Sequence, residues 1–150
     1  MPNAKHYNLY DTTAYWVNKL NGVITSSVEK EMRRFDITPS QWTVLVPLYH
    51  GKTDTPQKLA KFIGIDKAAV KRTLDRLEKK GFITRRKDEK DSRLSHIDLT
   101  EKGQKVVPQL IIAAQKCDSR FLEGLSNEEA FMFKAIINKM LRSREISAFI

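Results

Sequence analysis

The stretch from Thr55 to Gly81 admits few folds. Thr55-Pro56 is a cap-then-proline helix start, Leu59, Ala60, Phe62 and Ile63 supply a short apolar stripe, and Gly64 ends it. Asp66 caps a second helix after only a short turn. Its inner stripe is Val70, Leu74 and Leu77, and it stops at Gly81. Two short helices joined by a tight glycine-containing turn form the helix-turn-helix pattern. Past Gly81 the period changes. Ile83-Thr84-Arg85-Arg86 reads as a strand and Lys87 to Ser92 as a polar hairpin tip. From Arg93 to Leu99 the residues alternate, with Ser95, Ile97 and Leu99 on one face and Leu94, His96 and Asp98 on the other. A β-hairpin therefore follows directly on the helix-turn-helix.

The flanks are helical. Tyr10, Ala14, Val17, Leu20, Ile24, Val28, Met32 and Phe35 recur at gaps of three or four and line one face of a helix of roughly 25 residues or more. That is long for a helix packed only within its own small domain, so part of its apolar face is expected to meet a second subunit. Thr38-Pro39-Ser40-Gln41 starts the next helix with a capping box, and Trp42, Leu45, Val46 and Tyr49 form its stripe. Pro47 lacks the amide that would bond Thr43, which predicts a kink or fraying there. After the hairpin, Thr100 caps a helix carrying Val106, Val107, Leu110, Ile111, Ala114, Phe121 and Leu122, with a bend expected at Pro108. Ser126-Asn127-Glu128-Glu129 is a second capping box, followed by Ala130, Phe133, Ile137 and Leu141. The tail, Ala148-Phe149-Ile150, is apolar enough to dock on a partner chain.

Composition narrows the function. The 150 residues make a single domain's length and carry a net charge of +9. One cysteine, Cys117, supports neither a disulfide framework nor a cysteine-rich zinc site and reads as a structural thiol. His6, His50 and His96 show no metal-ligand spacing. No apolar run is long enough to span a membrane, and Met1 to Tyr10 lacks an apolar signal core, so a cytoplasmic protein with no membrane partner is expected. There is no nucleophile elbow, glycine-rich phosphate loop or metal-ligand cluster, hence no enzyme and no cofactor is expected. From Asp66 to Arg93 there are eleven basic and six acidic residues, which places +5 of the charge on one helix and the adjoining hairpin. On that helix Ala68, Arg72, Asp75 and Lys79 lie opposite the apolar stripe, flanked by Ala69 and Arg76, with Lys67 and Lys71 toward one edge. Small side chains let a helix approach base edges closely, and an arginine matches the guanine O6/N7 pair. A basic hairpin beside it suits a minor groove, whose negative potential attracts arginine. Double-stranded DNA is the expected partner. The competing reading is a winged-helix module that uses its basic face for an acidic protein.

The residues Leu59-Ala60, Gly64-Ile65-Asp66, Val70 to Gly81, Ile83-Thr84-Arg85, Asp91-Ser92-Arg93 and Leu99 to Gly103 resemble the MarR family of winged-helix regulators, and Arg72-Thr73-Leu74-Asp75 looks closest to its SlyA-like branch. The resemblance implies a mainly helical fold with a small β-hairpin wing. It divides the chain into an N-terminal helix contributing to dimerisation (1–36), a winged helix-turn-helix DNA-binding lobe (37–100) and C-terminal dimerisation helices (101–150). It implies a bacterial or archaeal homodimer, most often a repressor, on a pseudo-palindromic operator. The expected DNA contacts are Lys67, Ala68, Ala69, Lys71, Arg72 and Arg76 on the recognition helix and Arg85, Arg86, Lys87, Lys90 and Arg93 on the wing. Asp91 occupies the position that orients Arg93, and Thr55 and Gln57 are expected phosphate contacts. Many relatives carry a serine near Ala69; its absence here favours contact with a thymine methyl. The family often responds to small aromatic or phenolic ligands, and Tyr15, Trp16, Trp42 and Tyr49 are the residues expected to line such a cleft, although aromatics at helical spacing are more often core.

Overall fold

The computed structural model of the chain describes residues 7–142. The apolar tail proposed to dock on a partner, and His6, lie outside the described residues. The order is a short 3-10 turn Leu9–Asp11, α1 (Thr13–Arg33), α2 (Pro39–Tyr49), α3 (Pro56–Ile63), α4 (Lys67–Lys79), β1 (Ile83–Lys87), β2 (Ser95–Leu99), α5 (Glu101–Leu122) and α6 (Asn127–Arg142). The chain forms two compact units, Met1–Gln115 and Lys116–Ile150. The fold is mainly helical with a two-stranded antiparallel wing, as the sequence suggests.

Local chemistry sets the boundaries. Thr38 Oγ1 accepts from Gln41 N while Gln41 Oε1 accepts from Thr38 N, which closes the capping box at α2. Thr55 caps α3, and Asp66 Oδ1 accepts from Ala69 N at 2.9 Å to cap α4. Gly64, at φ 77°, takes the left-handed conformation that lets α3 end and Asp66, the cap of α4, follow two residues later. The first helix is shorter than its apolar period. Asn8 and Thr12 both act as caps, so the apolar spacing from Tyr10 belongs to a 3-10 turn and then to α1. Pro47 and Pro108 both lie inside helices, each without the amide that would bond the carbonyl four residues earlier, and Pro47 falls in the last turn of α2, with little helix beyond it.

The core of the first unit joins α2, α3, α4, the wing and the first half of α5. Val44, Leu45, Leu59, Val70, Leu74, Leu77, Phe82, Ile83, Val107 and Leu110 are all essentially inaccessible to water, and burial of each such side chain contributes roughly 2 kcal/mol. The apolar stripe of α1 changes character along its length. Val17 and Leu20 are exposed, Ile24 and Val28 half-buried, and Met32 fully buried in this core. In the second unit Cys117 is a buried free thiol, and Ser126 and Glu129 close the expected capping box at α6.

Candidate nucleic-acid interface

Helix α4 presents two opposite faces. Val70, Leu74 and Leu77 are buried against the core, while Lys67, Ala68, Lys71, Arg72 and Arg76 are exposed and Ala69 half-buried. None of the four cations Lys67, Lys71, Arg72 and Arg76 has an ion-pair partner among the described residues, so their charge is free to meet a polyanion. At the start of α3, Gln57 is exposed and, with Pro56, Lys67, Lys71, Arg85 and Ser95, lines a hollow of about 280 Å³ between α3, α4 and the wing. Thr55 differs from expectation. It is buried, and its hydroxyl accepts from Lys58 N, so it serves as the cap of α3 instead of facing solvent as a phosphate contact.

In the wing, β1 and β2 pair Ile83 with Leu99 and Lys87 with Ser95, so Ile83 and Ile97 point into the core and the tip projects beyond it. Lys87 and Lys90 are exposed. Arg93 is 90% exposed, and its Nε lies 3.2 Å from Asp91 Oδ1, the carboxylate that the resemblance pairs with it. That oxygen also accepts from Arg93 N at 3.0 Å. Arg86 pairs with Asp98 at 2.8 Å yet keeps most of its side chain in solvent. Arg85, expected among the free wing cations, is turned inward. Its guanidinium bonds Asp75 at 2.7 Å and Glu78 on α4, holding the Glu78 carboxyl below its ordinary range, and it braces the wing against the helix. Two acids of one helix neutralise it, which alternation along the strand could not reveal.

The four aromatics proposed to share a cleft fall in two groups. Tyr15 and Trp16 make edge-on contacts with each other, and Tyr15 with Tyr10, at the start of α1. Trp42 and Tyr49 pack on the core from α2. Among the described residues no ring contact links the two groups.

A feature absent from the sequence reading ties the wing down. His96, on β2, places Nδ1 2.8 Å from Asp54 Oδ2 and Nε2 2.8 Å from Asp88 Oδ2. Asp88 and then Asp54 raise the pKa of the imidazole, and Asp88 itself is held down to about 2 by His96 and by the amides of Asp91 and Lys90. No local signal pointed here, because Asp54 lies on the loop before α3. The described residues hold no group of three His, Cys, Asp or Glu side chains arranged to bind a metal ion, and no helix among them is long and apolar enough to cross a membrane.

The arrangement is an exposed basic helix with small residues in its first turn, beside a hairpin with an ordered arginine at its tip. Such a surface can enter one groove with the helix and an adjacent groove with the hairpin. Comparison with known proteins agrees with this geometry. A family model described as the MarR family matches residues 37–95. The chain is similar to a crystallised complex of MepR from Staphylococcus aureus with DNA, at 29% identity and a TM-score of 0.81 over 88% of this chain and 98% of that one. The fold is shared with a MarR variant from Escherichia coli complexed with operator DNA, at 24% identity and a TM-score of 0.81 over 90% and 99% of the two chains. It is also shared with a probable transcriptional regulator from Pseudomonas aeruginosa, at 24% identity and a TM-score of 0.78 over 89% and 99%.

Proposed function

We propose that this chain, whose residues 37–95 match the MarR family model, is a homodimeric transcriptional repressor that binds a pseudo-palindromic operator. α4 enters the major groove with Lys67, Ala68, Ala69, Lys71, Arg72 and Arg76 toward the bases and backbone. Lys87, Lys90 and Arg93 carry the wing to the minor groove, with Arg86 next to Lys87 on β1, and Gln57 meets a phosphate from the start of α3. The observation that carries this reading is the unpaired, exposed cationic face of α4 next to Arg93, with the two structural arginine partners, Asp75 and Glu78, already consumed by Arg85. The relative from Staphylococcus aureus was crystallised with DNA, which supports the same use of the surface here. Dimerisation is supported by apolar side chains left in solvent on α1 and α6, Trp16, Val17, Phe131, Met132 and Ile136 among them.

The experiment is selection of duplexes from a random-sequence library by the full chain, followed by fluorescence anisotropy at several salt concentrations. The expected result is an enriched pseudo-palindrome whose affinity falls steeply with salt and drops by at least about tenfold for Arg72→Ala, with discrimination relaxed at one base position. An enriched set without shared sequence, or binding of an acidic protein in place of DNA, overturns it. A small aromatic or phenolic effector belongs to the same proposal. An open groove of about 770 Å³ lined by Phe35, Phe82 and Val106, by the cations Arg34, Lys102 and Lys105 and by the acids Asp36 and Glu101 offers such a ligand both apolar and polar contacts. A ligand-dependent melting temperature together with weakened operator binding checks it.

A further inference from the structure

The imidazole of His96 lies between two carboxylates, each 2.8 Å from a ring nitrogen, with 18% of its side chain exposed. An ionised carboxylate only accepts hydrogen bonds, so both contacts are hydrogen bonds only when each ring nitrogen donates, that is, when the ring is an imidazolium. A neutral ring donates from one nitrogen only, and its bare nitrogen would face an oxygen lone pair. The bonds continue on both sides. Asp54 also accepts from Ile97 N through its carbonyl at 2.7 Å, so the loop before α3 is fixed along β2. Asp88 Oδ1 accepts from Lys90 N at 2.8 Å and from Asp91 N at 2.9 Å, which shapes the tip. Asp91 then holds both the amide and the Nε of Arg93. Hydrogen bonds therefore run without a break from the helix-turn-helix to the wing-tip guanidinium.

We propose that His96 is a positioning residue for DNA recognition: as an imidazolium it clasps the wing tip to the loop before α3 and so aims Arg93 into its groove. The proposal rests on the DNA-binding reading above. It makes recognition sensitive to pH through a residue that itself touches no DNA.

The charged groups around the ring fix the sign. Asp88 and Asp54 favour the proton. Lys58 on α3 shares Asp54 at 3.0 Å, and Lys61 on the same helix is exposed to solvent. On β1, Arg86 stands opposite His96 and disfavours the proton, Asp98 pairs with Arg86, and Lys87 stands opposite Ser95. Helix α2, which also packs on β2, carries no charged side chain. The carboxylates prevail, and the pKa of His96 is raised above the ordinary value of 6.5. The clasp is thus complete below that ordinary value and opens as pH climbs through the raised one.

The test uses the duplex enriched in the selection and measures its affinity between about pH 6 and 9, the range in which a raised histidine titrates. Wild type is expected to lose about tenfold in affinity toward the alkaline end, the scale of one charge-assisted hydrogen bond. His96→Gln is weak and flat across the range. His96→Arg donates to both carboxylates at every pH and stays tight and flat. His50→Gln keeps the wild-type profile. The salt slope is the same in wild type and His96→Gln, because no phosphate contact is lost; a slope lower by about one marks direct contact and overturns the proposal. Matching pH profiles in wild type and His96→Gln overturn it as well. Nitrogen-15 shifts of the ring in the free protein read the clasp without DNA, with two protonated nitrogens at neutral pH expected and a single neutral tautomer fatal. Should no duplex be enriched while both nitrogens are protonated, the DNA reading fails and the proposal falls with it, leaving the clasp as a structural tie.

Discussion

Arg93 stands in solvent with 90% of its side chain exposed, yet its Nε is within 3.2 Å of a carboxylate two residues earlier. An exposed pair of this kind contributes under about 1 kcal/mol to stability. Its effect is on the roughly 2 kcal/mol of rotamer entropy that a free arginine must lose on binding. Two forces then oppose each other in Asp91→Ala. Removing an acid beside a polyanion strengthens binding through Coulomb attraction, while losing the ordered guanidinium weakens it. We expect the ordering effect to win on the operator, with a loss of about threefold, and the charge effect to win on unrelated duplexes. The variant binds less selectively, and in the Arg93→Ala background Asp91→Ala produces no further operator loss. Competition anisotropy with both duplex types checks this. The roles of Asp91 and Arg93 were legible through the family resemblance, which places both at the hairpin tip, two residues apart. Arg85 and His96 were not. Their partners, Asp75 and Glu78 for one and Asp54 and Asp88 for the other, come from neighbouring elements or the hairpin tip, and which side chain faces which depends on how the hairpin settles on the lobe.

At the scale of elements, the helix starts were written in short-range chemistry. The boxes at Thr38 and Ser126 and the cap at Asp66 each satisfy amides within one turn, so a few residues suffice to announce them. The junction between wing and α5 was less visible. Thr100 bonds the carbonyl of Gly81 through its hydroxyl and that of Phe82 through its amide, and Gly103 lies against the same peptide. A Cβ on Gly103 would sit 2.2 Å from the Phe82 carbonyl oxygen, which is backbone and cannot swing away. Gly103→Ala is therefore expected to destabilise the first unit by about 2 kcal/mol or more, as overpacking in a fixed site does. Urea denaturation should show a lower midpoint with an unchanged slope. Gly22, with nothing within 4 Å of its would-be Cβ, is the contrast. Gly22→Ala in the interior of α1 should gain stability by roughly 0.5–1 kcal/mol.

For the whole molecule, charge was readable and assembly only partly so. The count of +5 between Asp66 and Arg93 located the basic surface, although folding spends Arg85 on internal pairs. Periodicity in α1 and α6 said that each helix has an apolar face but not what covers it. In the structure Met132, Ile136 and Met140 follow one another at single-turn spacing on α6 and are each at least two-fifths exposed. A second copy is the occupant we propose. Met132→Glu with Ile136→Glu places charges on that stripe, and sedimentation should then report a single-copy protein with at least about tenfold weaker operator binding, since two tethered lobes bind far better than one. Unaltered dimer mass would remove α6 from the interface.

Helix α1 carries a mechanical implication. Met32 is locked into the lobe at one end of a continuous rod, and Trp16 and Val17 are exposed to solvent near the other. Whatever grips the free end gains leverage over the lobe, so a twist applied at the rod's far turns is delivered as a change of aim where the lobe meets its target.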